Sequence, residues 1–324
     1  RLHFLPNPVP PLPERPSRDA ARAALQRAFG VGPDRPYLLY PVRGIRRKNV
    51  GELVLLSQVL QRVQPDVFFG LTLAPLNPHE KKFYDRWVAV ARQHHLPCHL
   101  ETGGAGGLTF PENLAAADRI ITTSVAEGFG MVYLEAWLAD RQLVGRNLPE
   151  ITADFAASGL ELNRLYDRLL VPVDWVGRDD YAGSLTEAYA GLCTVYGRPA
   201  PSQEQLDEAL AAHLYGDAVD FGDLNERQQE AVIARLAADP SAGDELLERN
   251  AGLAAMLDEP AGVVAANHHV VEQEYALRPS GERLLSIYGT VLSSERQASL
   301  AGPSAGERLL DLFLDGERIR LIRD

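Results

Sequence analysis

Two glutamates, Glu127 and Glu135, flank the segment Gly128-Phe129-Gly130-Met131-Val132. Carboxylates so placed suit the binding of hydroxyl groups. A helix opening near Met131 would aim its first unpaired amides, and the positive end of its dipole, at an anion. Glycine at 128 and 130 lets the backbone turn tightly and approach a ligand with no Cβ between. Upstream, Arg43-Gly-Ile-Arg-Arg-Lys48 concentrates positive charge, and Lys48 is one of three lysines (with Lys81 and Lys82) in an arginine-biased chain. A lysine there supplies a compact ammonium rather than a planar fork, suited to stabilising a departing phosphate. Together these residues describe a pocket for a nucleotide sugar, with cations for the diphosphate and carboxylates for the hydroxyls.

Plainer readings stand beside this one. Glu127 to Glu135 also fits a surface turn whose glutamate is favoured by a helix dipole, and Arg43 to Lys48 a solvated basic loop. Gly103 to Gly107 lacks the Gly-Lys-Ser/Thr ending of a phosphate loop and reads as flexible chain. His268, His269 and Glu272 show no further ligand, so they read as a solvated helix face and no metal site is expected. Ser124 has no histidine and acid at triad spacing. Trp87, Trp137 and Trp175 read as core or domain-contact residues.

Short apolar runs must position these groups. Strands are predicted at 37–42, 67–73, 97–100, 119–123, 142–145 and 169–173, with amphipathic helices at 50–63, 79–95, 131–140 and 180–195. That alternation implies βαβ units and a parallel sheet covered on both faces, although Pro41 sits awkwardly within a central strand. Arg43 and Lys48 then follow the first strand, Glu101 the third, Ser124 to Gly130 the fourth and Arg146-Asn147 the fifth. All fall beyond the carboxyl ends, where open parallel sheets bind ligands. Residues 201–324 show no clear strand; helical spacing marks 225–237, 270–292 and 305–314, with Pro240, Pro260 and Pro303 as breaks.

The 324 residues, 46% of them apolar, suffice for one or two domains. Residues 1–200 carry a net charge of +1 and residues 201–324 one of −13, which argues against a nucleic-acid partner on the latter. Cys98 and Cys193 make neither a disulfide framework nor a metal site. With no long apolar run and no secretory signal pattern, a cytoplasmic protein is expected. Arg1-Leu-His-Phe-Leu, leading into prolines from Pro6 to Pro16, reads as a strand end entering a linker, so something is expected to precede it.

With these residues assembled, the chain resembles the C-terminal half of a retaining glycosyltransferase of the GT-B fold, family 4. Arg43 to Lys48 resembles the family's Arg-x4-Lys loop, Glu127-Gly-Phe-Gly…Glu135 its Glu-x7-Glu motif, and Asn147-Leu-Pro-Glu150 its Gly-Gly-x-Pro-Glu segment. The chain departs from that pattern at Asn147-Leu148 and at Pro41-Val42. The resemblance implies an interdomain linker at 1–18 and a Rossmann-like donor-binding domain at 19–200. An acidic helical extension at 201–324 would include a closing helix at about 267–292. It implies that Arg43 and Lys48 contact the diphosphate, that amides from Gly130 through Met131 to Val132 cap it, that Glu135 holds the ribose, and that Glu127 binds sugar hydroxyls near the reacting carbon. Gly128 and Phe129 complete the donor loop. No cofactor or metal is implied; the partners are a nucleotide-sugar donor and a carbohydrate or small-molecule acceptor, the latter on an N-terminal domain apparently absent from this chain. The alternative is a non-catalytic nucleotide-binding or scaffold module.

Overall fold

A computed structural model describes residues 3, 5–259, 262–293 and 303–322. Arg1, Leu2 and Phe4 of the expected strand end, and the expected break at Pro260, lie outside the described residues. The chain forms two compact units, residues 1–167 with 250–292, and residues 168–249 with 293–324.

The first unit holds a six-stranded parallel sheet: β1 (Tyr37–Arg43), β2 (Phe68–Leu73), β3 (Cys98–His99), β4 (Arg119–Thr122), β5 (Gln142–Arg146) and β6 (Leu165–Tyr166). Their order is β3-β2-β1-β4-β5-β6, with Leu39 beside Gly70 and Ile120 beside Leu143. Between the strands run α1 (Arg18–Phe29), α2 (Val50–Leu60), α3 (Pro78–Gln93), α4 (Phe110–Ala116), α5 (Val132–Leu138) and α6 (Pro149–Ala157), α1 preceding β1. Residue chemistry sets their starts. The Ser17 hydroxyl accepts from the Ala20 amide to cap α1, Asn77-Pro78 opens α3, and Thr109 with Glu112 forms a reciprocal cap on α4.

Pro41 is accommodated by a break in register. β1 pairs regularly with β2 from Tyr37 to Tyr40 and resumes only at Arg43, while its pairing with β4 covers Leu38 and Leu39. A residue with no amide proton therefore sits where no ladder bond is required. Tyr37 and Leu39 join a core with Ala21, Leu25, Leu114 and Trp137. α2 is buried at every position, as an apolar helix enclosed on all sides must be.

The second unit corrects two expectations. The predicted strand at 169–173 does not extend the parallel sheet. It is β7 (Leu170–Pro172), and the parallel edge is the two-residue β6 just before it. After α7 (Arg178–Val195) and α8 (Gln203–His213) come two strands in a region expected to have none, β8 (Leu214–Tyr215) and β9 (Ala218–Asp220). These pair antiparallel in the order β7-β9-β8, and strands so short carry no readable period. α9 (Glu226–Ala238) and α10 (Pro240–Arg249) follow. The compact units meet in sequence at Asp167–Arg168, where the chain leaves the parallel sheet.

The chain then returns to the first unit with α11 (Val263–Glu274) and α12 (Leu277–Ser293), a single predicted helix divided at Tyr275-Ala276. Val271 and Tyr275 complete the core beside α5. The leading segment lies against this junction, where the Val9 amide donates to the Tyr275 carbonyl at 2.8 Å. α13 (Pro303–Phe313) belongs to the second unit.

Candidate functional site

β1 and β4 are neighbours in the sheet, and the order of strands reverses between them. Loops leaving such a pair diverge and open a crevice at the carboxyl edge. The loop after β1 is a single 3-10 turn, Arg46–Lys48, closed by Asn49 at φ +48 before α2 begins. It is stitched to the loop after β4: the Thr123 hydroxyl donates to the carbonyls of Lys48 (2.9 Å) and Asn49 (3.1 Å), and the Val125 amide to that of Arg47 (3.0 Å).

That stitching brings Lys48 to Glu127. The Lys48 ammonium donates to Oε1 of Glu127, and Arg47 Nη1 reaches Oε2 at 3.2 Å. The Ser124 hydroxyl also donates to Oε1, at 2.6 Å, and lies 2.5 Å from the hydroxyl of fully buried Tyr40. The Glu127 side chain is 6% exposed and that of Arg47 is 41% exposed. Burial pulls the Lys48 ammonium below its ordinary value; Glu127 opposes the shift, Arg47 adds to it, and the charge of Glu135 opposes it again.

Glu135 stands one turn into α5, its amide bonded to the Met131 carbonyl at 2.8 Å. Its half-buried carboxylate has no hydrogen-bond partner among the described residues, and burial raises its pKa against the pull of Lys48. The first intrahelical bond runs from the Tyr133 amide to the Gly130 carbonyl, so the amides of Gly130, Met131 and Val132 precede the ladder. Gly130 holds φ +68, and a Cβ there would lie 2.4 Å from Ile151 Cγ2, so glycine is required. Gly128 differs from expectation. It has ordinary φ, and a Cβ would meet nothing within 4 Å, so the fold itself does not demand glycine there. Phe129 is 63% exposed.

The structure thus joins Lys48 and Glu127, sets Glu135 where its charge acts on Lys48, and leaves Arg43 bonded elsewhere. Arg43 ends β1 on the same rim, exposed, with its guanidinium donating to the Ala74 carbonyl at 3.1 Å and no acidic partner among the described residues. Asn147 is tied down by its side chain, donating to Asp167 (2.8 Å) and accepting from Thr152 (2.6 Å), while Glu150 is exposed in the first turn of α6. His268 pairs with Asp140 at 2.8 Å. No helix of the described residues is long and apolar enough to cross a membrane.

Sequence reasoning missed Arg47, Tyr40 and a buried pair beneath the loop. Arg146 grips Glu52 with Nε (2.8 Å) and Nη2 (2.5 Å), and Tyr166 OH (2.6 Å) and Asn49 Nδ2 (2.8 Å) donate to the same carboxylate. A lone glutamate inside Val50-Gly-Glu-Leu-Val-Leu-Leu was the available signal, since a charge on an enclosed helix needs a partner.

No family model matches the chain. Over 149 residues it is 30% identical to the mannosylglucosyl-3-phosphoglycerate synthase of Petrotoga mobilis, covering 44% of this chain and 27% of that protein. The chain resembles glycosyltransferases of the GT-B fold, group 1 type. Similar solved structures include the C-terminal domain of a glycosyl transferase group 1 family protein from Francisella tularensis (19% identity, 34% of this chain, 56% of that one, TM-score 0.30). Anabaena HepE, solved with UDP and glucose, is another (12% identity, 85% of this chain, 55% of that one, TM-score 0.42). The matched glycosyltransferase segments span just over half of each solved chain, and about a quarter of the curated relative. Superpositions this loose carry no residue roles, which rest on the geometry above.

Proposed function

We propose that the first unit is the donor-binding part of a retaining glycosyltransferase that moves a hexose from a nucleoside diphosphate sugar to a carbohydrate or small-molecule acceptor. The observation that carries this reading is the meeting of Lys48 and Arg47 on Glu127 at the strand-order reversal, with the charge of the Glu135 carboxylate, which has no hydrogen-bond partner among the described residues, acting on Lys48. Lys48, with Arg43 further along the rim, offsets charge on the diphosphate, and the amides opening α5 cap it. Glu135 accepts from ribose hydroxyls and Glu127 from the sugar. In transfer the bond from the anomeric carbon to the phosphate oxygen breaks. The acceptor oxygen bonds on the same face and its proton passes to the departing phosphate. By the same resemblance, the acceptor belongs to a second Rossmann-like domain of the whole protein.

Calorimetry of the chain with UDP, GDP and ADP tests this. At least one should bind, and Lys48→Ala or Glu135→Ala should weaken it, Lys48→Ala by tenfold or more on the scale of a lost charged hydrogen bond. Unchanged affinity in both variants would refute the assigned roles.

A further inference from the structure

An ionised carboxylate accepts about four hydrogen bonds, two on each oxygen. On Glu127, Oε1 takes Lys48 and Ser124, and Oε2 takes Arg47. One acceptor position is left, on Oε2. The direction of the bonds behind it is fixed by chemistry. A carboxylate cannot donate, so the Ser124 proton points at Glu127, and the Tyr40 proton must then point at the Ser124 oxygen. Burial, reinforced by the charge of Glu127, raises the Tyr40 pKa and keeps that hydroxyl a donor.

We infer that Tyr40 and Ser124 are positioning residues: a buried, one-way chain of hydroxyls that holds Oε1 of Glu127 so that Oε2 presents its remaining acceptor position to a sugar hydroxyl. The inference rests on the nucleotide-sugar reading of this site. It also assigns each carboxylate oxygen a separate duty, Oε1 for anchorage and Oε2 for the ligand. Arg47, more exposed than Lys48, would then border the same hydroxyl and narrow the set of sugars that fit.

A second tyrosine on the same strand supplies the control. Tyr37 is equally buried, but its hydroxyl donates to Asn113 at 3.0 Å, in the core and away from Glu127. The 324-residue chain is titrated with UDP and with UDP-glucose, and the ratio of the two dissociation constants measures what the sugar adds. Tyr40→Phe and Ser124→Ala should each reduce that ratio about tenfold while UDP affinity stays within twofold; Tyr37→Phe should leave the ratio unchanged whatever it does to Tm. Combined with Glu127→Gln, Tyr40→Phe should cause no further loss. An unchanged ratio in both Tyr40→Phe and Ser124→Ala, or an equal fall in Tyr37→Phe, overturns the inference. Failure of the unaltered chain to bind UDP moves the same comparison to GDP or ADP and their glucose conjugates; failure to bind any of the three would overturn the nucleotide reading itself, before any variant is compared.

Discussion

Two buried carboxylates lie on either side of the turn at Lys48-Asn49, and they are built differently. Glu52, wholly buried, receives two bonds from Arg146, one from Tyr166 and one from Asn49, so both oxygens are filled. Glu127, 6% exposed, receives three, and one of its donors, Arg47, reaches out toward solvent. The first network is closed on itself and fastens α2 to the ends of β5 and β6. The second is open by a single position and faces the rim of the sheet. A filled carboxylate can only hold structure together, whereas one held rigid with a place to spare can bind. Asn49 couples the two, since it donates to Glu52 and lies next to Lys48 in the chain.

The contrast breaks most readily at Arg146. Arg146→Ala leaves the Glu52 charge buried without its counter-ion, which costs about 3–5 kcal/mol in such sites. Urea unfolding should show that loss, and Tyr166→Phe a smaller one of about 1 kcal/mol. Replacing Glu52 and Arg146 together by Leu and Met should recover much of the stability, because no unpaired charge then remains. A loss below about 1 kcal/mol in Arg146→Ala would show that Glu52 is not closed off from water. Lys48→Ala supplies the opposite signature. Arg47 and Ser124 still hold Glu127, so unfolding should change by about 1–2 kcal/mol while nucleotide affinity falls at least tenfold. Were stability to drop as far as in Arg146→Ala with affinity intact, the two sites would have to exchange roles.

The open network was the more legible of the two in sequence, for a physical reason. Glu127, Gly130 and Glu135 fall within one turn and its helix, so backbone geometry alone relates them, and the rule that ligands sit beyond strand ends brings Lys48 alongside. Glu52 and Arg146 are separated by 94 positions, and nothing in spacing pairs them. Tyr40 sits in a continuous apolar run, which shows that it is buried but not which polar atom it meets. The parallel sheet was readable from five of its six strands because each is followed by a helix or a long connection. β6, β8 and β9 are two or three residues long, too short to show alternation; β3, equally short, was marked instead by the helix before it and the glycine-rich loop after it. Arg43 matched the motif, but its guanidinium is bonded to a backbone carbonyl, a partner that composition cannot reveal.

The smallest expected effect sharpens the comparison with a third carboxylate. Glu135 has no donor among the described residues, and burial raises its pKa above the ordinary 4.5. For a raised acid the folded state holds its proton more tightly than the unfolded chain does. The stabilising contribution is therefore fully present below pH 4.5 and is lost as pH rises through the folded value. Glu135→Gln, which cannot ionise, should thus gain Tm relative to the unaltered chain near pH 7 and lose that advantage below pH 4.5. The same substitution should weaken nucleoside diphosphate binding at pH 7, because an amide accepts less well than a carboxylate from ribose hydroxyls. A site that gains stability and loses affinity in one substitution is kept for its ligand rather than for the fold. A Tm difference that does not vary between pH 4 and pH 7 would place Glu135 with the ordinary surface acids instead.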